Sequence, residues 1–327
     1  MDFVNFTAGK DDDNRRLDVL VRKFLKEESL TQLYKSIRNG FIKVNGQKKE
    51  GKYRVLEGDN ISFASFLIKN QTAKEVEKHA DSKDFPTLDK KIIILRTDDF
   101  LFLNKPYDIP VQKANKNDLS LDSLVENERK ITEEAKSLAF KTGPLHRLDR
   151  LTTGLIAFSQ SLQGARWFSA VMKDCHAKKT YFALVQGKMT KEYFWQDRIS
   201  RQKITDKGFH TVSVNSKIDE GKISYTKAKP LGTGSYKGLD VTLVKFEILT
   251  GRTHQIRATS SSHGYPLLAD TAYGAKKIDS RQKLYLHSYS LDLPKNDFAL
   301  PETIIAPLNE EFLKMVELSL INWNGKL

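Results

Sequence analysis

Three stretches carry polar residues at spacings that could do chemistry. In His146-Arg147-Leu148-Asp149-Arg150-Leu151-Thr152-Thr153-Gly154, one carboxylate stands between two arginines at the mouth of a tight Thr-Thr-Gly turn, and the apolar run 155–158 can anchor that turn in a sheet. Two readings of Asp149 stay open: a charge held ready for chemistry, or an aspartate closing a side-chain-to-backbone turn with no catalytic duty. Tyr181 lies in the alternating stretch 179–187, which predicts a strand ending at Gly187 on which Tyr181 shares a face with Ala183 and Val185. On pattern it is a half-buried core tyrosine. Arg257 follows the strand pattern of residues 239–249 in Thr250-Gly251-Arg252-Thr253-His254-Gln255-Ile256-Arg257. There Gly251 supplies a tight turn, Thr253 is a credible N-cap, and Arg257 lands one turn into a helix. Taken alone, Arg257 could be a surface helix residue and His254 a cap-region side chain.

Composition limits what such residues can serve. The 327 residues suffice for one large domain and a small one, and 39% hydrophobic with 10% aromatic residues suffices for an ordinary packed core. A formal charge of +13 points to a polyanionic partner, nucleic acid before an anionic membrane surface. No run of about 18 apolar residues is present, and Met1-Asp2-Phe3-Val4-Asn5 lacks the basic and apolar regions of a signal peptide, so the expected location is the cytoplasm. The single cysteine, Cys175, excludes an intramolecular disulfide and a cysteine-rich zinc site. It adjoins His176, but neighbouring side chains at a helix end point different ways, and the cysteine reads as structural.

The elements that would position these groups fall into two parts. Residues 1–13 are acidic and aperiodic and read as a loose lead-in, with order starting near Asn14. Leu17, Leu20, Val21, Phe24 and Leu25, then Leu30, Leu33, Tyr34 and Ile37, recur at helical spacing and stop at Asn39-Gly40. Short strands follow around the turns Asn45-Gly46 and Glu57-Gly58-Asp59. Lys35, Arg38, Lys43, Lys48, Lys49, Lys52 and Arg54 fall on or beside the second helix and hairpin, as an RNA-binding face or a merely solvated one. Residues 69–91 are polar and charged and form the expected linker. Beyond it, residues 92–95 and 100–103 predict strands, with Asn104-Lys105-Pro106 stopping the second. Residues 119–137 predict a helical region, and 162–173 a helix whose Trp167, Phe168, Val171 and Met172 belong to the core. Residues 196–236 alternate weakly and read as hairpins and loops over the sheet.

The His146-Arg147-Leu148-Asp149 and Thr152-Thr153-Gly154-Leu155 phrases resemble the catalytic-aspartate motif of the RluA-type pseudouridine synthases. Asn104-Lys105-Pro106, the 179–187 strand, and 250–257 continuing through His263 to Gly274 and on to residues 286–291 resemble that family's other signatures, in the family's order. The phrase Ile37 to Gly46 is similar to an S4-type RNA-binding domain. Asp108 and Gln112 stand where the family often has Gly and His, Thr153 where Ser is common, Thr259 where His is frequent, and Ala269 where Gly is frequent.

The resemblance implies an α+β protein: an S4-like module (1–68), a linker (69–91) and a catalytic domain (92–327) on a mixed, largely antiparallel sheet. It implies isomerisation of uridine to pseudouridine in structured RNA, large-subunit ribosomal RNA first, by a monomer with no membrane partner. Asp149 would be the catalytic carboxylate, Arg257 its partner, Tyr181 a group that stacks on the base or relays a proton, and Arg147 the residue filling the space the base vacates. Such an isomerisation needs no metal, redox cofactor or nucleotide, and no glycine-rich phosphate loop or dense metal-ligand cluster is written here. Whether the carboxylate attacks C1′ or acts through a glycal-type elimination stays open. The alternative class is a non-catalytic RNA-binding or ribosome-assembly protein retaining the fold.

Overall fold

Hydrophobic spacing becomes structure first in a small unit near the start of the chain. The computed structural model describes residues 1–25, 28–68, 86–113, 115, 118–132, 137, 140–201, 211–215, 221–278, 283–323 and 325. They divide into two compact units, Met1–Asp89 with Asp122–Gly143 and Ser159–Ala165, and Lys90–Leu121 with Pro144–Phe158 and Arg166–Leu327. Of the expected linker, residues 69–85 lie outside the described residues.

In the first unit, α1 (Leu17–Phe24) buries Leu17, Leu20 and Val21, and α2 (Leu30–Arg38) buries Leu33 and Ile37. Their partners in the core include Ile42 and Val44 of β3 (Ile42–Val44) and Ile61 and Phe63 of β5 (Asn60–Ala64). Ser29 caps α2 by accepting from the Gln32 amide. Tyr34, expected on the apolar face, is 51% exposed, and its hydroxyl donates to Asp18. Asn45 and Gly46 take φ of 51° and 74°, the left-handed pair of a two-residue hairpin turn. The lead-in reading fails for residues 1–13: β1 (Phe3–Thr7) pairs antiparallel with β5, Phe3 against Ala64 through Thr7 against Asn60, giving the order β1-β5-β3. A strand whose partner lies so far along the chain has no local signature. Two short strands, β2 (Arg15–Arg16) and β4 (Arg54–Val55), pair separately, and α3 (Leu121–Thr132) falls almost wholly in this unit.

The second unit is built on a large sheet. Its strands are β6 (Ile93–Arg96), β7 (Phe100–Lys105), β8 (Gly143–Pro144), β9 (Thr153–Ser159), β10 (Lys178–Gln186), β11 (Tyr193–Arg201), β12 (Val212–Asn215), β13 (Lys222–Tyr236), β14 (Leu239–Ile248), β15 (Leu286–Asp292) and β16 (Thr303–Ile305). The order is β12-β11-β13-β14-β10-β15-β9-β7-β6, with β16 on β15 and β8 on β9. Most pairs are antiparallel and β9 with β15 is parallel, as expected of a mixed, largely antiparallel sheet. Helix α4 (Leu162–Lys173) packs Phe168 and Val171 against Phe100, Phe102, Leu155 and Ala157. On another part of the sheet, α6 (Glu310–Leu318) places Phe312 and Val316 over Phe182, Leu184 and Leu243.

Two expectations are corrected here. The described residues of 196–236 do pair as hairpin-type antiparallel strands, but they do not lie over the sheet: they contribute most of β11, β12 and the fifteen-residue β13 to it. The buried positions at the start of β13 are Ser224, Thr226 and Ala228, small or hydroxyl-bearing, so a true inside-outside alternation carries little hydrophobic contrast. Thr153 and Gly154 are strand residues of β9. The turn comes earlier, closed by the Thr152 amide donating to the Asp149 carbonyl at 3.0 Å.

Candidate active site

The loop between β8 and β9 presents Asp149, whose side chain is 27% exposed. What fixes this loop is mostly beneath it. Lys105, at the end of β7, is fully buried, and its ammonium donates to the carbonyls of Pro106 (2.9 Å), Ile109 (2.7 Å) and Arg150 (2.9 Å). Burial pushes its pKa down to about 8, while the charges of Asp149 and Asp108 oppose that shift. Next to Asp149, Arg150 donates to the Asp108 carboxylate at 2.8 Å. On the β9 side, Gly154 pairs with Ser288 of β15 at φ 102°, and a β-carbon there would run into the Ser288 carbonyl. Only glycine lets the two backbones approach so closely. The Thr153 hydroxyl meets His287 Nδ1 at 2.8 Å, and His287 Nε2 lies 3.1 Å from the Ala306 carbonyl, so Nε2 carries the proton and Nδ1 accepts.

Helix α5 (Gln255–Ser262) brings the cation. Arg257 Nη1 stands 3.5 Å from Asp149 Oδ2, so the expected partners meet. The closer partner is Asp270, which accepts from Nε at 2.7 Å and Nη2 at 2.8 Å in a two-pronged bond. Burial alone would lower the Arg257 pKa, but the hydrogen bonds and charge of Asp270, with the charge of Asp149, hold it above its ordinary value. The Tyr273 ring lies under the guanidinium at 4.8 Å.

His254 was not singled out by residue pattern. Its Nε2 lies 3.5 Å from Asp149 Oδ1, on the other oxygen from Arg257. Thr253 is not the cap of α5: His254 holds that position in left-handed backbone at φ 52°. The tight turn is braced by Gln255, which accepts from the Arg252 amide and the Thr250 hydroxyl, and Gly251 is not among the positive-φ residues. The Tyr273 hydroxyl accepts from the Val212 amide at 3.0 Å and meets His254 Nδ1 at 2.8 Å. Its own proton therefore goes to Nδ1, leaving Nε2–H to face the carboxylate.

Tyr181 is 7% exposed on β10, with its hydroxyl near Ser288. Burial pushes the phenol up to about 12; Ser288 opposes this and the Asp149 charge adds to it. The site thus gathers a half-shielded carboxylate, two donors aimed at its two oxygens, and a neutral buried phenol. That set can stabilise or attack an electron-poor carbon and hand protons over short distances. Arg147 is exposed on the same loop. Among the described residues no group of three or more His, Cys, Asp or Glu could hold a metal ion.

On the first unit, Lys35, Arg38, Lys48 and Lys49 line one groove of about 710 Å³ with Thr31, Tyr34, Ile37, Glu50 and Gly51. Lys43 and Arg54 are not in it: Lys43 lies 4.5 Å over the Phe3 ring, and Arg54 donates to the Asn14 carbonyl.

A family model described as RNA pseudouridylate synthase matches residues 99–262, half of the chain, and the S4 domain model matches residues 15–61. The ribosomal large subunit pseudouridine synthase C of Rickettsia conorii is 31% identical over 306 residues, covering 90% of this chain and 93% of that protein. The chain belongs to the RNA pseudouridylate synthase family. The synthases C of Vibrio vulnificus (26% identical, 93% of this chain and 92% of that protein) and Escherichia coli K12 (27%, 92% and 91%) are similar over nearly the full length. The solved structure of human RNA pseudouridylate synthase domain containing 4 shares the fold, with a TM-score of 0.55 at 20% identity over 71% of this chain and 94% of that one.

Two departures from the family pattern now have geometry. Asp108 and Ala269, standing where glycine is common, take left-handed φ of 63° and 66°. Thr259, where histidine is frequent, buries a hydroxyl that has no hydrogen-bond partner among the described residues.

Proposed function

We propose that this RNA pseudouridylate synthase isomerises particular uridines of large-subunit ribosomal RNA, with Asp149 as the catalytic carboxylate, as a monomer in the cytoplasm. The observation that carries the site assignment is the placement of Arg257 Nη1 and His254 Nε2 at 3.5 Å from the two oxygens of Asp149. The reaction breaks the N1–C1′ bond, turns the uracil, and joins C5 to C1′, so C5 gives up a proton and N1 gains one. The Asp149 carboxylate attacks C1′ or shields its positive character, and Arg257, with Nη1 3.5 Å from Oδ2, sets a positive charge beside it. Tyr181, neutral through the physiological range, stacks on or hands a proton to the base. Arg147 occupies the space left when the uridine leaves its stack. The choice of ribosomal RNA rests on the names of the relatives and on the S4 match. Residues 1–68 are read as the RNA-binding module, 69–91 as a linker and 92–327 as the catalytic domain. A formal charge of +13 supports both an RNA partner and a self-repelling monomer.

The test is tritium release from large-subunit ribosomal RNA transcribed with 5-tritiated uridine. Asp149→Asn keeps the shape and loses the charge, so release should vanish while RNA affinity stays within a few-fold; appreciable turnover by this variant would remove Asp149 from the mechanism. For the first unit, replacing Lys35, Arg38, Lys48 and Lys49 by Gln should flatten the dependence of log affinity on log salt, by about 0.7–0.9 for each phosphate that the protein no longer neutralises. An unchanged slope would leave that groove without a role. The non-catalytic alternative has no observation in its favour.

A further inference from the structure

Lys179 is 6% exposed at the start of β10, on the same face as Tyr181 and about 6.8 Å from it along the strand. No described residue gives its ammonium a carboxylate partner or a hydrogen-bond acceptor. Buried ammonium groups are ordinarily paired, because the lost hydration has to be replaced. A neighbouring cation worsens the position. Burial holds the Lys179 pKa below the usual lysine range, Cys175 opposes this, and the cation of Arg252 adds to it.

Arg252 is itself built to face something. Its Nε donates to the Ile223 carbonyl at 3.2 Å, and its backbone amide is tied to Gln255 Oε1, so the stem is fixed while its Nη groups have no partner among the described residues. Gly251, the residue before Arg252, is exposed and outside left-handed backbone. Its conformation does not demand glycine, but a β-carbon there would stand 3.5 Å from the Lys179 ammonium and cover it. Beside this glycine the ammonium of a buried lysine thus stands unpaired among the described residues, with a second, anchored cation near it. His146 is close enough for the Lys179 charge to help depress its pKa, after burial itself, which places this pair next to the loop that carries Arg147 and Asp149.

We propose that Lys179 and Arg252 form a binding site for one backbone phosphate of the substrate RNA, adjoining the catalytic loop. The proposal rests on the reading of RNA as substrate. Bound phosphate supplies the missing counter-charge to Lys179 and forked acceptors for Arg252, so two cations that repel each other in the free protein are reconciled by the ligand. The site holds the strand near the uridine that leaves its stack.

The experiment uses the full-length protein with Lys179→Met, Arg252→Met and the double variant. It reads melting temperature without RNA, and affinity for an unmodified large-subunit ribosomal RNA transcript across a NaCl series. Lys179→Met removes an unpaired buried charge and keeps an apolar stem, so it should melt above wild type and yet bind RNA several-fold more weakly. Arg252→Met should also weaken binding. Because the two share one phosphate, the double variant should flatten the log-log salt slope by one phosphate, about 0.7–0.9, not by two. A Lys179→Met protein that melts below wild type would show the lysine to be structural, and unchanged affinity and slope in both single variants would overturn the site. Tritium release by wild type is measured alongside. If wild type releases none, the uridine reading fails; if it turns over while the variants bind normally, only the phosphate site fails.

Discussion

Arg257 serves two carboxylates at once, and that division decides what its replacement does. Asp270 is 4% exposed and takes Nε and Nη2, so Arg257→Met strands a buried carboxylate as well as releasing Asp149. The variant should lose about 3–5 kcal/mol of stability and orders of magnitude in single-turnover rate. Adding Asp270→Asn should return most of the stability, read by urea denaturation, and none of the rate. A double variant that also regains turnover would mean that the guanidinium acts only through Asp270. Arg257→Lys should fall between, since one ammonium cannot fork onto Asp270 and still reach Asp149. At Thr259 the buried hydroxyl has no partner among the described residues, so Thr259→Val should gain about 1 kcal/mol, measured the same way, and a loss would reveal a partner for the hydroxyl.

At the scale of elements, the site depends on backbone conformations that side chains ordinarily resist. Ala269 just before Asp270 and Asp108 beside Arg150 both sit in left-handed backbone, which disfavours L-residues by about 1–2 kcal/mol. Ala269→Gly should therefore stabilise by up to about 1 kcal/mol after the added freedom of the unfolded chain is subtracted. Asp108→Gly should gain less, because it gives up the exposed pair with Arg150. Gly154→Ala works the other way: the β-carbon meets the Ser288 carbonyl, β9 and β15 separate, and turnover should disappear even at temperatures where the helical circular dichroism is intact. These elements also show what was readable in the sequence. The apolar spacing of α1, α2 and α4 and the strong alternation of β10 and β14 announced themselves, and the motif residues Asp149, Tyr181 and Arg257 do come together. Strand β1 was hidden because its pairing with β5 is remote, and β13 because small hydroxyl residues line its buried face. His254 escaped because its placement depends on a left-handed backbone and a bond to Tyr273, and Lys105 because carbonyls from two loops distant in sequence have no sequence pattern.

For the molecule as a whole, two histidines, half-buried His146 and fully buried His287, act on the acid side of stability. Burial pushes His146 down to about 3, with Lys179 adding to the shift, and His287 down to about 4. In the unfolded chain both take protons near pH 6.5, so below that value the unfolded state binds more protons than the folded one. Their contribution is complete above about pH 6.5 and is lost as the pH falls toward 4 for His287 and 3 for His146. Guanidinium denaturation at pH 7, 5.5 and 4.5 should show stability falling at each step, and His287→Asn should make the fall shallower; equal slopes would deny His287 this part. The pairing of Thr153 and Gly154 with His287 and Ser288 also imposes an order in time. A ribosome making this chain releases Asp149 and Tyr181 long before it reaches Leu286, so the emerging polypeptide carries these side chains while β15, one of the two long strands flanking β9, is still missing. The complete sheet around the loop arrives late in synthesis, after every strand but β16 has been made.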